Sequence, residues 1–149
     1  MTKWLILSVF FVIVMAVVLL NPSYEKSIEA KYYYSVGDYQ EAYTLSKEAF
    51  GLDPYNRMAS TIMTQAQTAL VFVDYIEQAK TYMNEIQAMA DQKEISAAHR
   101  AKIKMMCEIM MDSYVKMSAT VLTDKTLIEE ASHYYQEFVK LHDKIVAAS

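Results

Sequence analysis

Two hydrophobic patterns divide the chain. From Trp4 to Leu20 every residue except Ser8 is apolar, and the run holds no charge and no helix breaker. A helix of that composition has no polar face to turn toward water, which distinguishes it from a surface helix of a globular domain. From Pro22 onward the pattern changes. Apolar residues there recur at three- and four-residue spacing, the mark of amphipathic helices.

The first pattern predicts a membrane anchor over residues 1–21. Residues 4–20 as a helix give roughly 25 Å of apolar cylinder, enough to cross a bilayer core with slight thinning. The run ends Ala16-Val17-Val18-Leu19-Leu20-Asn21-Pro22, with bulky residues where a signal peptidase needs small ones, so an uncleaved anchor is expected. Lys3 precedes the span and a locally balanced Glu25-Lys26-Ser27-Ile28-Glu29 follows it. The positive-inside bias then favours a cytoplasmic N-terminus with residues 22–149 translocated, and the expected placement is a single-pass bacterial inner-membrane protein with that domain in the periplasm.

Glycine and proline punctuate the second pattern. Asn21-Pro22 can open a helix, since proline is tolerated at the first helical position. Gly37-Asp38 breaks that helix, and Asp38-Tyr39-Gln40-Glu41 reads as a capping box for the next. Leu52-Asp53-Pro54 ends the second helix and caps a third. The result is a helical hairpin of two elements of about fourteen residues each.

Beyond it, Ile62, Ala66, Ala69, Val73, Ile76, Ala79, Met83, Ile86 and Ala90 fit either one long helix or two kinked at Val71-Phe72-Val73-Asp74. Asp91-Gln92-Lys93-Glu94 has capping-box spacing and predicts a helix running to about Val121. Thr126-Leu127-Ile128-Glu129 opens a last helix. Its seam of Leu127, Ala131, Tyr134, Phe138, Leu141 and Ile145 leaves one wet face, as a terminal capping helix requires.

Composition agrees with an all-α fold. The 149 residues include two glycines and two prolines, with Ala, Met, Lys, Glu and Gln abundant. A net charge of −4 disfavours nucleic acid as a partner. The one cysteine, Cys107, has no internal partner and reads as buried packing.

The segment from Ala30 to Asn56 resembles a tetratricopeptide repeat, a 34-residue helix-turn-helix unit. Ala30, Tyr33, Gly37, Asp38, Tyr39, Ala42, Ala49, Leu52, Asp53, Pro54 and Asn56 stand at the intervals that family uses. Ser46 departs from it where a large aromatic is usual, and Lys26 where Trp is common. The resemblance implies a membrane-anchored stack of hairpins, about five to six helices in all, that binds proteins. It also implies a partner groove lined by one face of the first helix, which maps to Tyr24, Ser27, Lys31 and Tyr34. The paired Lys and Asn with which some members clamp a C-terminal carboxylate are absent from that face.

Candidate chemistry is sparse. Glu130-Ala131-Ser132-His133 has the E-x-x-H spacing of di-iron carboxylate bundles, but neither His99 nor His142 has a glutamate three residues before it to form the second pair. No nucleotide loop, zinc spacing or nucleophile–base arrangement occurs. No catalytic residue, metal or cofactor is therefore expected, and the chain reads as a non-enzyme. Met105, Met106, Met110, Met111 and Met117 form a stripe that reads as core filler, or as an adaptable surface for unfolded chains. The expected function is a scaffold or assembly factor for a membrane complex. A holdase-type chaperone beside the translocation machinery is the first alternative, and a helical-bundle metal enzyme the second.

Overall fold

The computed structural model describes residues 2–19, 21–92 and 94–147. Its elements are α1 (Thr2–Leu19), α2 (Pro22–Ser35), α3 (Tyr39–Leu52), α4 (Arg57–Ala90), α5 (Ala97–Lys116) and α6 (Lys125–Ala147), with no strand among the described residues. The chain divides into two compact units, Met1–Gln67 and Thr68–Ser149.

The expected membrane crossing is corrected first. Among the described residues, no helix is long and apolar enough to cross a membrane. The expected span ends at Leu20, a position outside the described residues. Within α1 the polar Thr2 and Lys3 take up the first turn, and the described apolar part, Trp4 to Leu19, falls short of the ~17–25 residues that a spanning helix uses. The expected inner-membrane, single-pass placement with a periplasmic domain falls with it. Side chains from Trp4 to Met15 stand exposed and join no core cluster.

In the first unit the hairpin forms where its punctuation places it. Asn21 caps α2, its side chain accepting from the Ser23 amide at 3.0 Å, with Pro22 at the first helical position. Gly37 ends α2 at φ 84°, a left-handed conformation that costs glycine little. The Gly37 and Asp38 amides then donate back to Tyr34 and Tyr33 carbonyls at 3.2 and 3.0 Å, closing the carbonyl end of the helix. Asp38 caps α3 by accepting from the Glu41 amide at 3.1 Å. Ala30 and Ala42, both wholly buried, lie in one cluster with Leu45, Ile62 and Ala66. The third helix begins slightly later than expected. Pro54 and Tyr55 form a turn in which the Tyr55 amide donates to Asp53 at 2.9 Å, and Asn56 supplies the cap of α4.

Under this hairpin lies a buried polar network that periodicity did not reveal. Asn56 Nδ2 donates to Ser23 Oγ at 2.9 Å and to Ser27 Oγ at 2.8 Å, while its Oδ1 accepts from the Ala59 amide at 3.2 Å. Ser23 Oγ donates in turn to the Ala49 carbonyl at 2.8 Å, and Ser27 Oγ to the Ser23 carbonyl at 2.8 Å. The backbone amide of Ala59 can only donate, so it fixes which end of the Asn56 amide is oxygen. This network thus ties the start of α2, the end of α3 and the start of α4.

In the second unit the remainder of α4 packs with α5 and α6. Phe72, Ile76 and Ile86 of α4 meet Ile103, Met106 and Met110 of α5 and Phe138 of α6 in a single cluster. Residues 57–90 are one helix, without a break at 71–74. The capping box expected at Asp91 does not form. Asp91 belongs to the end of α4, its amide donating to Gln87 at 3.0 Å and its carboxylate accepting from the Gln87 side chain at 2.8 Å; Lys93 lies outside the described residues. Ser96 caps α5 instead, accepting from the His99 amide at 3.1 Å. This helix stops at Lys116, short of Val121. Met117 turns to extended backbone, and the Thr123 hydroxyl takes the Thr120 amide at 2.9 Å, a local bond that competes with the helix. Tyr75 is 4% exposed, and its hydroxyl has no hydrogen-bond partner among the described residues.

Candidate protein-binding surface

Helix α2 carries the four residues expected to line a groove, and the structure separates them. Ser27 is wholly buried and committed to the Asn56 network, so it offers nothing to a partner. Tyr24 is half-buried and does not line the hollow described next. Lys31 and Tyr34 do come together, one turn apart at the far end of α2.

They line a hollow of about 410 Å³ with the first turns of α4. Met58 and Ile62, four residues apart on α4, supply its apolar lining. Tyr34 stands beside them, held edge-on to Tyr39 with ring centroids 5.3 Å apart, and packs against the hairpin core. Such an aromatic is anchored by its packing and costs little rotamer entropy on contact with a partner. Arg57, at the start of α4, adds a second cation to that of Lys31. Sequence reasoning missed Arg57. The signal available was its position: a cation at a helix start, with no acidic residue in that first turn to offset it.

A second hollow, of about 600 Å³, lies along α5 and α6 and is lined by Glu108, Asp112 and His142 among others. Its charges are already matched. His142 Nε2 lies 3.5 Å from Glu108, Lys104 lies 3.8 Å from the same carboxylate, and Lys116 holds Asp112 at 2.6 Å. A self-compensated surface has less to gain from a charged partner than the hollow beside α2.

The remaining motifs resolve into packing and solvated faces. Glu130 pairs with Lys80 at 2.8 Å, and His133 is exposed beside Tyr134. Among the described residues no group of three or more His, Cys, Asp or Glu could hold a metal ion. Of the methionine stripe, Met106 and Met110 are buried, Met111 and Met117 half-buried, and Met105 exposed. Cys107 is wholly buried, and that burial pushes its thiol pKa up to about 11, so the nucleophilic thiolate is scarce at neutral pH. No family model matches the chain, and neither a curated protein nor a solved structure matches it.

Proposed function

We propose that this chain is a protein-binding module, a scaffold or assembly factor, whose partner docks in the hollow between the end of α2 and the start of α4. The observation that carries this reading is the meeting of Lys31 and Tyr34 with Arg57, Met58 and Ile62 in one concave surface. An aromatic anchor, an apolar floor and cations at one site are the composition by which interface hot spots are recognised. The hairpin supports the tetratricopeptide-like reading through Gly37, Asp38 and the close Ala30 and Ala42 packing. The role proposed is non-enzymatic. A chaperone role is less well supported, because two of the five methionines in its stripe are buried and two more are half-buried.

Co-purification from the native cell tests this. A Tyr34→Ala/Lys31→Glu variant should keep its helical circular dichroism and lose its principal co-purifying protein. Truncation of such an anchor costs ~2 kcal/mol or more, roughly thirtyfold in affinity. Wild-type recovery by a folded variant would remove the hollow from consideration.

A further inference from the structure

Among the described residues several lysines are held by carboxylates, while others, Lys47, Lys125 and Lys144 among them, form no ion pair. Lys26 holds Glu48 at 2.7 Å, Lys80 holds Glu130 at 2.8 Å, and Lys102 holds Glu85 at 3.0 Å. What sets Lys31 and Arg57 apart is that they meet. They reach the same hollow from two helices, and neither has an ion-pair partner among the described residues. This occurs in a chain with eighteen acidic side chains against fourteen basic ones, where a spare carboxylate is the commoner circumstance.

The placement of Arg57 sharpens the point. It is the first residue of α4, where the free amides of the helix end already carry partial positive charge, so a cation there is disfavoured. Helices α2 and α3 place Glu25 and Glu41 in the corresponding turns, whereas α4, like α5 and α6, has no acidic residue in its first turn. No carboxylate lines the hollow. Two uncompensated cations and a helix start therefore project positive potential over a floor of Met58 and Ile62, with Tyr34 beside it. The volume lies at the small end of the ~300–1,000 Å³ range of ligand clefts, which suits a few side chains and not a domain.

Resting on the reading of this hollow as the docking surface, we infer that it takes an acidic segment of a protein partner, in which a Glu or Asp side chain adjoins a large apolar residue. The carboxylate faces Lys31 and Arg57, and the apolar neighbour enters between Tyr34, Met58 and Ile62. Charge complementarity of this kind sets partner choice and speeds encounter.

The full chain, held in mild detergent because of the exposed apolar side chains of α1, would be titrated against fluorescent peptides blocked at both ends. One alternates Glu with Leu, a second replaces Glu by Gln, and a third replaces it by Lys. A fourth is the Gln peptide with a free C-terminal carboxylate. The Glu peptide should bind about tenfold more tightly than the Gln peptide, with an advantage that shrinks as salt rises. Lys31→Glu and Arg57→Glu should each weaken it about tenfold. Both positions are exposed, so circular dichroism should stay unchanged, and Arg57→Gln gives a second, milder variant. Equal Kd values for the Glu and Gln peptides, or a Glu-peptide Kd indifferent to both cations, would overturn the inference. So would tight binding of the fourth peptide alone, which would assign the cations to a chain terminus. If no acidic peptide binds while Tyr34→Ala/Lys31→Glu still abolishes partner capture, the acidic class is wrong and the docking surface stands. If partner capture survives in that variant, the docking surface itself fails.

Discussion

Replacing Asn56 by alanine should destabilise the protein by about 3 kcal/mol, though the side chain touches no predicted functional residue except Ser27. The magnitude follows from three bonds. Loss of the 3.2 Å bond from the Ala59 amide removes the cap of α4, which costs ~1 kcal/mol. The 2.9 and 2.8 Å bonds to Ser23 and Ser27 contribute ~1 kcal/mol each net of water. The two serine hydroxyls keep their own donations to the Ala49 and Ser23 carbonyls, so only acceptor lone pairs are left unmet. For a chain of this size the thermal midpoint should fall by roughly 10 °C. The isosteric Asn56→Asp is the sharper probe. It preserves the acceptor for Ala59 but sets a buried carboxylate against two hydroxyl oxygens whose protons are already committed, and an unpaired buried charge costs more than a missing bond. Scanning calorimetry at neutral pH should therefore rank wild type above Asn56→Ala, with Asn56→Asp no more stable than the alanine variant. A midpoint unchanged in Asn56→Ala, or an Asn56→Asp variant close to wild type, would refute the network.

Four further outcomes follow from other parts of the fold. Ala42→Leu should cost ~1–3 kcal/mol and lower the midpoint by several degrees, because Ala42 is wholly buried where the hairpin helices meet; an unchanged midpoint would place it at the surface. Tyr75→Phe should leave stability unchanged or raise it by ~1 kcal/mol, since its hydroxyl is buried without a partner, and a marked loss in calorimetry would mean that the hydroxyl is bonded. Because burial raises the Cys107 thiol pKa in the folded state above its ordinary 9.0, that contribution to stability is complete below about pH 9 and is lost between about pH 9 and about pH 11. Denaturant titrations of wild type and Cys107→Ala across that window should converge as pH rises, and native alkylation at pH 8 should run roughly a hundredfold slower than in denaturant. Ser96→Ala should cost ~1 kcal/mol in chemical denaturation while Glu94→Ala costs nothing, which identifies the cap of α5.

The hairpin was legible because its signals are local. Asn21-Pro22, Gly37 and Asp38 act through their own backbone angles and the amides next to them, so their meaning survives without knowledge of the fold. The capping box at Asp91 failed for the opposite reason. Spacing alone cannot say whether an acidic residue ends the preceding helix or begins the next, and the bonds to Gln87 decided for the former. The membrane crossing misled in the same way, since composition marks where charge is absent but not where the helix starts and stops.

At the candidate site the sequence puts Lys31 and Tyr34 on one face of α2 with Tyr24 and Ser27, but that face is not uniform. Its early part, at Ser23 and Ser27, is sealed by Asn56 from 33 and 29 residues away, and only its later part opens beside α4. No periodicity marks serine as a buried residue, because its burial depends on a distant amide that satisfies its hydroxyl. Arg57 belongs to another helix, so it could join the site only through the packing of α4 onto the hairpin.

Photo-crosslinking tests the docking surface most directly. A photoreactive residue in place of exposed Thr61, at the edge of the hollow, should give one discrete protein adduct in the native cell. The same residue in place of Glu129, on the exposed side of α6, should not give that adduct. The Thr61 adduct should disappear when Tyr34→Ala/Lys31→Glu is introduced into the same chain. A diffuse smear of adducts, an equal yield from Glu129, or an adduct that survives the double substitution would contradict the assignment of this hollow as the site where the protein meets its partner.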